Sequence, residues 1–467
     1  MAAAAARQRA RASRTFFGTT RNVALLFLLG ALAGCAHYHA EPLVTTSTLP
    51  DRIPDLLIDP RLMPLPELAT HRFDPTDGLD MTEVGMLAVV NNPDLKIARA
   101  MGGVAHAQAF AAGLLPDPRV SAALDFPDPG QTATTTAYNF GLSYDVMSLL
   151  TRAPRYAAAR QDARKTDLNV LWQEWLVVAL ARQLFVRLTE QRQLMEVLEQ
   201  TRALFADRYR LTQTALDRGL LTLDAVTPHL VALQDVNRQI NDLERLSSQS
   251  RHDLSALLGL DPEVPVPLVG PATLPLLDDS AVKKVLPDLP RRRPDLIALQ
   301  AGYAAQEQRL RVAILSQFPS LGIGFTRARD ATDMHSAGFN VSLNLPVFNR
   351  NRGGIAVEQA TREQLHIEYE QRLNTATGGI DRILAEQRIN RRQLGDIDAG
   401  LAELSRAADK TNAAFRAHDI NALVFANLQA SLLAKKIERI TVEQAILEQQ
   451  VALQTLIGGE LPVRLTR

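Results

Sequence analysis

Bulky and polar residues alternate along YNFGLSYDV, residues 138–146. Tyr138, Phe140, Leu142, Tyr144 and Val146 would project to one side of a strand, with Asn139, Gly141, Ser143 and Asp145 on the other. The same period of two runs through Val120, Ala122, Leu124 and Phe126, through Leu321, Ile323 and Phe325, and through Phe339, Val341, Leu343, Leu345 and Val347. Two strand pairs are predicted, at about 119–147 and 320–347. Elsewhere the period is helical. Leu171, Trp175, Val178, Phe185, Leu188, Met195, Leu198 and Phe205 step by three, four or seven, the spacing of a coiled-coil seam.

The helical stretches have matched lengths. Pro154 can open a helix that nothing breaks before Gly219, so 155–217 spans roughly 95 Å at 1.5 Å per residue, and 354–417 spans roughly 96 Å. Their return partners, 221–258 and 421–457, reach only roughly 56 Å each, leaving about 40 Å that segments 82–113 and 294–317 are long enough to fill. Each long helix is thus expected to pair with two stacked shorter ones.

An internal duplication underlies the match. NNPDLKIARA at 91–100 returns as RRPDLIALQA at 292–301, each followed by a helix, a strand pair and a longer helix. The expected division is a signal peptide at 1–34, a lipidated N-terminus and extended tether at 35–78, and a first repeat at 79–259. A proline-rich linker at 260–293, a second repeat at 294–459 and a tail at 460–467 follow.

The N-terminus changes the picture. Arg7, Arg9, Arg11, Arg14 and Arg21 precede an apolar run from Val23 to Ala33, too short to cross a bilayer comfortably, which reads as an export signal. It ends in Leu32-Ala33-Gly34-Cys35, and Cys35 is the only cysteine of the chain. Small residues immediately before such a Cys resemble a bacterial lipobox, in which Cys35 would be acylated and become the mature N-terminus; Ala36 after it favours the outer membrane in such lipoproteins. Without the signal, 46 basic residues face 51 acidic ones, a charge of about −5, which gives no basis for a nucleic-acid partner. Aromatics at 5% suit long helices whose seams use Ala and Leu.

For a lipoprotein bound for the outer membrane, two-sided strands of this length read as membrane-spanning, with the bulky face on lipid and Gly141, Ser143, Gly322 and Gly324 toward a lumen. Four strands cannot close a barrel, and an open edge in hydrocarbon costs several kcal/mol per unpaired group. Several chains must share one barrel; two copies are marginal for a lumen and three are preferred.

The doubled PDL starts, FPSLGIGF, FNVSLNLPVFNRNRGGI and LDRGLLTLDAV, in this order over nearly the whole mature chain, resemble the TolC-like outer-membrane efflux proteins. LPVFNRNRGGIAVEQA is most similar to their heavy-metal-efflux branch. The resemblance implies a mainly α fold in two repeats of long coiled-coil hairpins, with four transmembrane strands per chain completing a twelve-stranded barrel in a homotrimer. It also implies a periplasmic helical tunnel whose tip meets an adaptor protein and an inner-membrane pump, of RND type, with cargo passing passively. By carry-over, Asp217, Arg218, Gly219 and Leu220 form the first adaptor-contacting turn at the closed tip, Gly219 allowing positive φ and Leu220 offering an apolar knob. His418, Asp419 and Ile420 fall at the second turn, where His418 departs from the pattern by replacing Gly219; a pH-sensitive gate is a further reading of His418. Arg155, Arg160 and Arg164 read as a solvated helix face.

No HExxH, P-loop, nucleophile elbow or paired-Cys motif is present, His37, His39, His229, His252 and His335 are scattered, and no Cys or Met cluster offers a metal site. Neither catalytic residues nor a cofactor are expected. Two readings stand beside the efflux conduit: a peptide or polysaccharide export duct, and a purely structural periplasm-spanning lipoprotein.

Overall fold

A computed structural model describes residues 37–53, 58–128, 134–275, 277–417 and 419–459. The expected signal peptide, the expected acylation site Cys35, the tail 460–467 and His418 lie outside the described residues. The chain divides into two units, 1–48 and 49–467. In the first, residues 37–48 are exposed and lack regular secondary structure.

The second unit begins with α1 (Met81–Asn91) and α2 (Pro93–Gly113), then β1 (Arg119–Asp125), β2 (Ala137–Asp145), α3 (Val146–Asp217) and α4 (Leu223–Leu257). After a short α5 (Asp279–Val285), the pattern repeats as α6 (Pro294–Leu315), β3 (Ser320–Arg329), β4 (His335–Asn344), α7 (Arg352–Arg416) and α8 (Ala422–Leu456). No described helix is long and apolar enough to cross a membrane.

Three boundaries differ from the sequence expectation, each for a local reason. The expected helix over 82–113 is two helices. Pro93 disfavours helical geometry at Asn92, whose side chain accepts from the Leu95 N–H at 2.9 Å and opens α2 with Pro93 at its first position. Conversely, α3 starts at Val146 rather than beyond Pro154, because Asp145 accepts from the N–H groups of Met147 at 2.9 Å and Ser148 at 3.3 Å. At 72 residues it is roughly 108 Å long and carries Pro154 inside it, with one backbone bond fewer. The last strand stops at Asn344, short of Leu345 and Val347, because Pro346 has no N–H for a ladder.

The strands form one antiparallel sheet in the order β1-β2-β3-β4. Leu142 lies opposite Val120 and Phe325, and Phe325 opposite Phe339, so the bulky residues share one face and Gly141, Ser143, Gly324 and Asn340 the other. Gly324 is needed where it is: a Cβ there would lie 2.9 Å from the Leu142 carbonyl and against the Asn340 side chain.

Three clusters hold the helices together. Leu87 of α1, Phe185 of α3 and Leu254 of α4 pack with Leu258 and Leu260 just beyond α4, all at most 1% exposed. In the second repeat Leu296, Ile380, Leu384 and Leu453 join α6, α7 and α8. Nearer the turns, Leu198, Phe205, Val236, Ile240 and Leu433 join α3, α4 and α8. Fully burying each such side chain contributes about 1.5–3 kcal/mol. Trp175, Val178, Phe185, Leu198 and Phe205 of the expected seam are buried, while Leu171, Leu188 and Met195 are half-buried.

The proline-rich segments do more than span. In 49–78, Leu68 is fully buried against Met86 and Val178, with Met63 and Phe73 packed around it. In the linker, Val264 joins the first cluster while Leu277, Val282 and Leu289 join the second. A parallel bridge between Leu79 and Leu268 fastens the two segments together.

Candidate functional site at the helical turns and the sheet

The α3–α4 turn is closed by backbone geometry. Arg218 caps α3, Gly219 has φ +70°, the Gly219 N–H donates to the Leu216 carbonyl at 2.8 Å and the Leu220 N–H to the Ala215 carbonyl at 2.8 Å. This pair of bonds is a Schellman motif, which a residue at positive φ makes possible. Among the described residues no atom stands within 4 Å of where a Gly219 Cβ would be, so the backbone angle is what asks for glycine there. Leu220 is 72% exposed and Leu223 68% exposed, two apolar groups held out in solvent at the end of the hairpin.

The second turn uses the same closing bond. The Asp419 N–H donates to the Ala414 carbonyl at 2.9 Å, the counterpart of Leu220 to Ala215 displaced by 199 residues. Asp419 is exposed and Ile420 half-buried. Asn421 then accepts from the Val424 N–H at 2.9 Å and starts α8.

Between the two turns lies a cluster that the sequence did not single out. His229 of α4 is fully buried, edge-on to Phe415 of α7 at 5.8 Å and to Phe425 of α8 at 6.1 Å. The two Phe rings stack at 4.8 Å, and the Arg208 guanidinium of α3 sits 5.5 and 5.4 Å from them while Nη2 donates to Asn412. Burial, then Arg208, lowers the His229 pKa, and neither ring nitrogen has a hydrogen-bond partner among the described residues. One contact set thus ties α3, α4, α7 and α8. Its aromatic members lie more than 180 residues from His229 in sequence, so no local spacing could reveal it.

A second missed residue is Glu190, on α3. It is 6% exposed, lines a cavity of about 460 Å³ with Thr189, Ile440 and Gln450, and neither carboxylate oxygen has a partner among the described residues. Burial pushes its pKa up to about 8; Glu448 and Glu443 push the same way and Arg187 opposes. Arg155, Arg160 and Arg164 are exposed, as a solvated face requires. His71, Asp80 and Glu83 form the one group of three metal-type ligands among the described residues. Their carboxylates are committed to the backbone: Glu83 accepts from the N–H groups of Asp74 and Asp80, and Asp80 from Thr82 and Glu83, the cap that opens α1.

In the sheet, β1 and β4 each leave one edge unpaired among the described residues, and the bulky face is bare, with Val120 78% and Phe339 90% exposed. Apolar area of this kind marks a surface meant to be covered.

Residues 285–459 match the family described as outer membrane efflux protein. Over 407 residues the chain is 24% identical to the probable efflux pump outer membrane protein TtgC of Pseudomonas putida, covering 80% of this chain and 81% of that one. It is 22% identical over 399 residues to the cation efflux system protein CusC of Escherichia coli, covering 80% and 85%. The fold matches a crystal structure of CusC with a TM-score of 0.71 at 20% identity, over 85% of this chain and 98% of that one.

Proposed function

We propose that the chain is a TolC-like outer-membrane efflux protein, three copies of which close one twelve-stranded barrel and one helical tunnel through which cargo passes passively. The unpaired edges of β1 and β4 carry this reading. Strand directions alternate along an even-numbered sheet, so β4 of one copy and β1 of the next meet antiparallel, and three sheets close with no edge left in hydrocarbon. Three copies also leave a lumen that eight strands would fill with side chains.

As an outer-membrane component of a tripartite efflux system, the assembly takes its energy from elsewhere. The exposed Leu220 and Leu223 beside the Gly219 turn suit an adaptor hairpin, as do Asp217 and Arg218, with Asp419 and Ile420 at the second turn. His418 belongs to this second contact by sequence position. The adaptor would link the tunnel to an inner-membrane pump of RND type, and Cys35 would add an acyl anchor in outer-membrane lipid to the barrel's own hold.

Single-channel recording in a planar bilayer tests the reading. Conductance from a purified trimer supports it; a monomer that stays folded in water without detergent, or a trimer that inserts without conducting, overturns it. The latter result would favour the structural lipoprotein.

A further inference from the structure

The bulky face of the sheet changes character along its length. Successive rungs across β2, β3 and β4 read Tyr144-Ile323-Val341, Leu142-Phe325-Phe339, Phe140-Arg327-Ala337 and Tyr138-Arg329-His335. Three apolar strand positions, Leu321, Ile323 and Phe325, therefore end in two arginines on the same face. They lie at the end nearest the β3–β4 turn, whereas the opposite end of the sheet passes directly into α3. On the other face the same heights carry Gly141, Thr326 and Gly338, then Asn139, Ala328 and Ser336, all uncharged. The charge is thus not aimed into a pore.

Arg327 is exposed and pairs with no carboxylate among the described residues. Arg329 is partly engaged: its Nε lies 3.4 Å from Asp333, which also faces His335 at 3.9 Å. Asp330, the other turn carboxylate, is taken up by the N–H groups of Thr332 and Met334 and the Thr332 hydroxyl. Beside them the Tyr138 hydroxyl is 3.3 Å from His335 Nδ1. Basic forks at the upper rim of an apolar belt, with a phenol and an imidazole next to them, are complementary to phosphate groups at a bilayer surface.

We infer that Arg327 and Arg329, with Tyr138 and His335, form a docking surface for the phosphorylated headgroups of outer-leaflet glycolipid. The inference rests on the barrel reading above, which sets the bulky face against lipid and the β3–β4 turn outside the cell. Three copies would repeat the surface around the rim.

The test uses the full-length protein in lipid nanodiscs containing a bisphosphorylated outer-leaflet glycolipid, its dephosphorylated form, or neither, with lipid retention read by native mass spectrometry. Wild type is expected to retain the phosphorylated lipid about tenfold better than Arg327→Gln/Arg329→Gln, and to show no such preference for the dephosphorylated lipid. Arg327→Lys/Arg329→Lys, which keeps charge and loses the fork, should fall between them. Equal retention by wild type and the Gln variant overturns the proposal, as does full displacement by inorganic phosphate, which would make this a free-anion site. Conductance is recorded on the same samples: a wild type that does not conduct counts against the channel, whereas conducting samples without lipid preference count against this surface alone.

Discussion

Glu190 offers a quantitative test of how the helical wall is held together. The carboxyl has an ordinary pKa of 4.5 when unfolded and about 8 in the fold, mainly through burial. Between those values the folded chain keeps a proton that the unfolded chain has lost, so stability falls as pH rises, by about 1.4 kcal/mol per pH unit, and levels off above about pH 8. At pH 7 the accumulated cost is about 3 kcal/mol per chain. Glu190→Gln keeps the size and removes the proton. It should therefore stabilise the protein at neutral pH by up to that amount and more at pH 9, while changing little near pH 5. The facing charges, Glu443 and Glu448 of α8 and Arg187 of α3, stay in place in the variant. Denaturant-induced loss of helical signal in detergent, followed at about pH 5, 7 and 9, measures the difference. Parallel curves for variant and wild type would refute the assignment, because a solvated or ion-paired Glu190 carboxylate has no such profile.

Three further outcomes are expected. Leu220→Asp should weaken crosslinking to the adaptor without lowering trimer yield, since the side chain is 72% exposed and supports no core contact; unchanged crosslinking would remove it from the docking surface. Gly219→Ala should cost about 1 kcal/mol through the backbone angle alone, seen as faster proteolysis at the α3–α4 turn. His229 has a lowered pKa, so the unfolded chain takes up the proton first, and stability contributed by the neutral ring is lost as pH falls below 6.5. His229→Phe should flatten that acid loss, measured as protease sensitivity of the turns at about pH 5 against pH 7; an unchanged acid response would place the sensitivity elsewhere.

How much of this was legible follows from the range of each interaction. Period-two and heptad spacing act within a few residues, so the strand pairs and the buried positions of Trp175, Val178, Phe185, Leu198 and Phe205 could be read directly. The sequence expectation begins this helix after Pro154, whereas the Asp145 cap begins α3 at Val146 and the helix accommodates the proline at the loss of a backbone bond and with its ring crowding the preceding turn. The break at Asn92 has a visible signal in Asn92-Pro93, which the length of the segment alone does not register. Glu190 and His229 carried no signal at all: each is defined by partners on other helices, and an isolated Glu or His in a polar helix looks solvated. The docking of the proline-rich segments, with Leu68 and Val282 fully buried, was hidden for the same reason.

The two long helices meet the sheet differently. Strand β2 becomes α3 with Asp145 as the only residue of transition, whereas β4 reaches α7 through residues 345–351, where Arg350 and Asn351 adopt φ of 47° and 50°. A twist arriving from the α3–α4 turn would thus pass from helix to strand across a single residue, whereas one arriving from the other turn would pass through a seven-residue link that Asn351 pins to the Ala313 carbonyl of α6 at 2.8 Å. The sheet is therefore hung from its two long helices by joints of unequal length, one of which is also tied to a third helix.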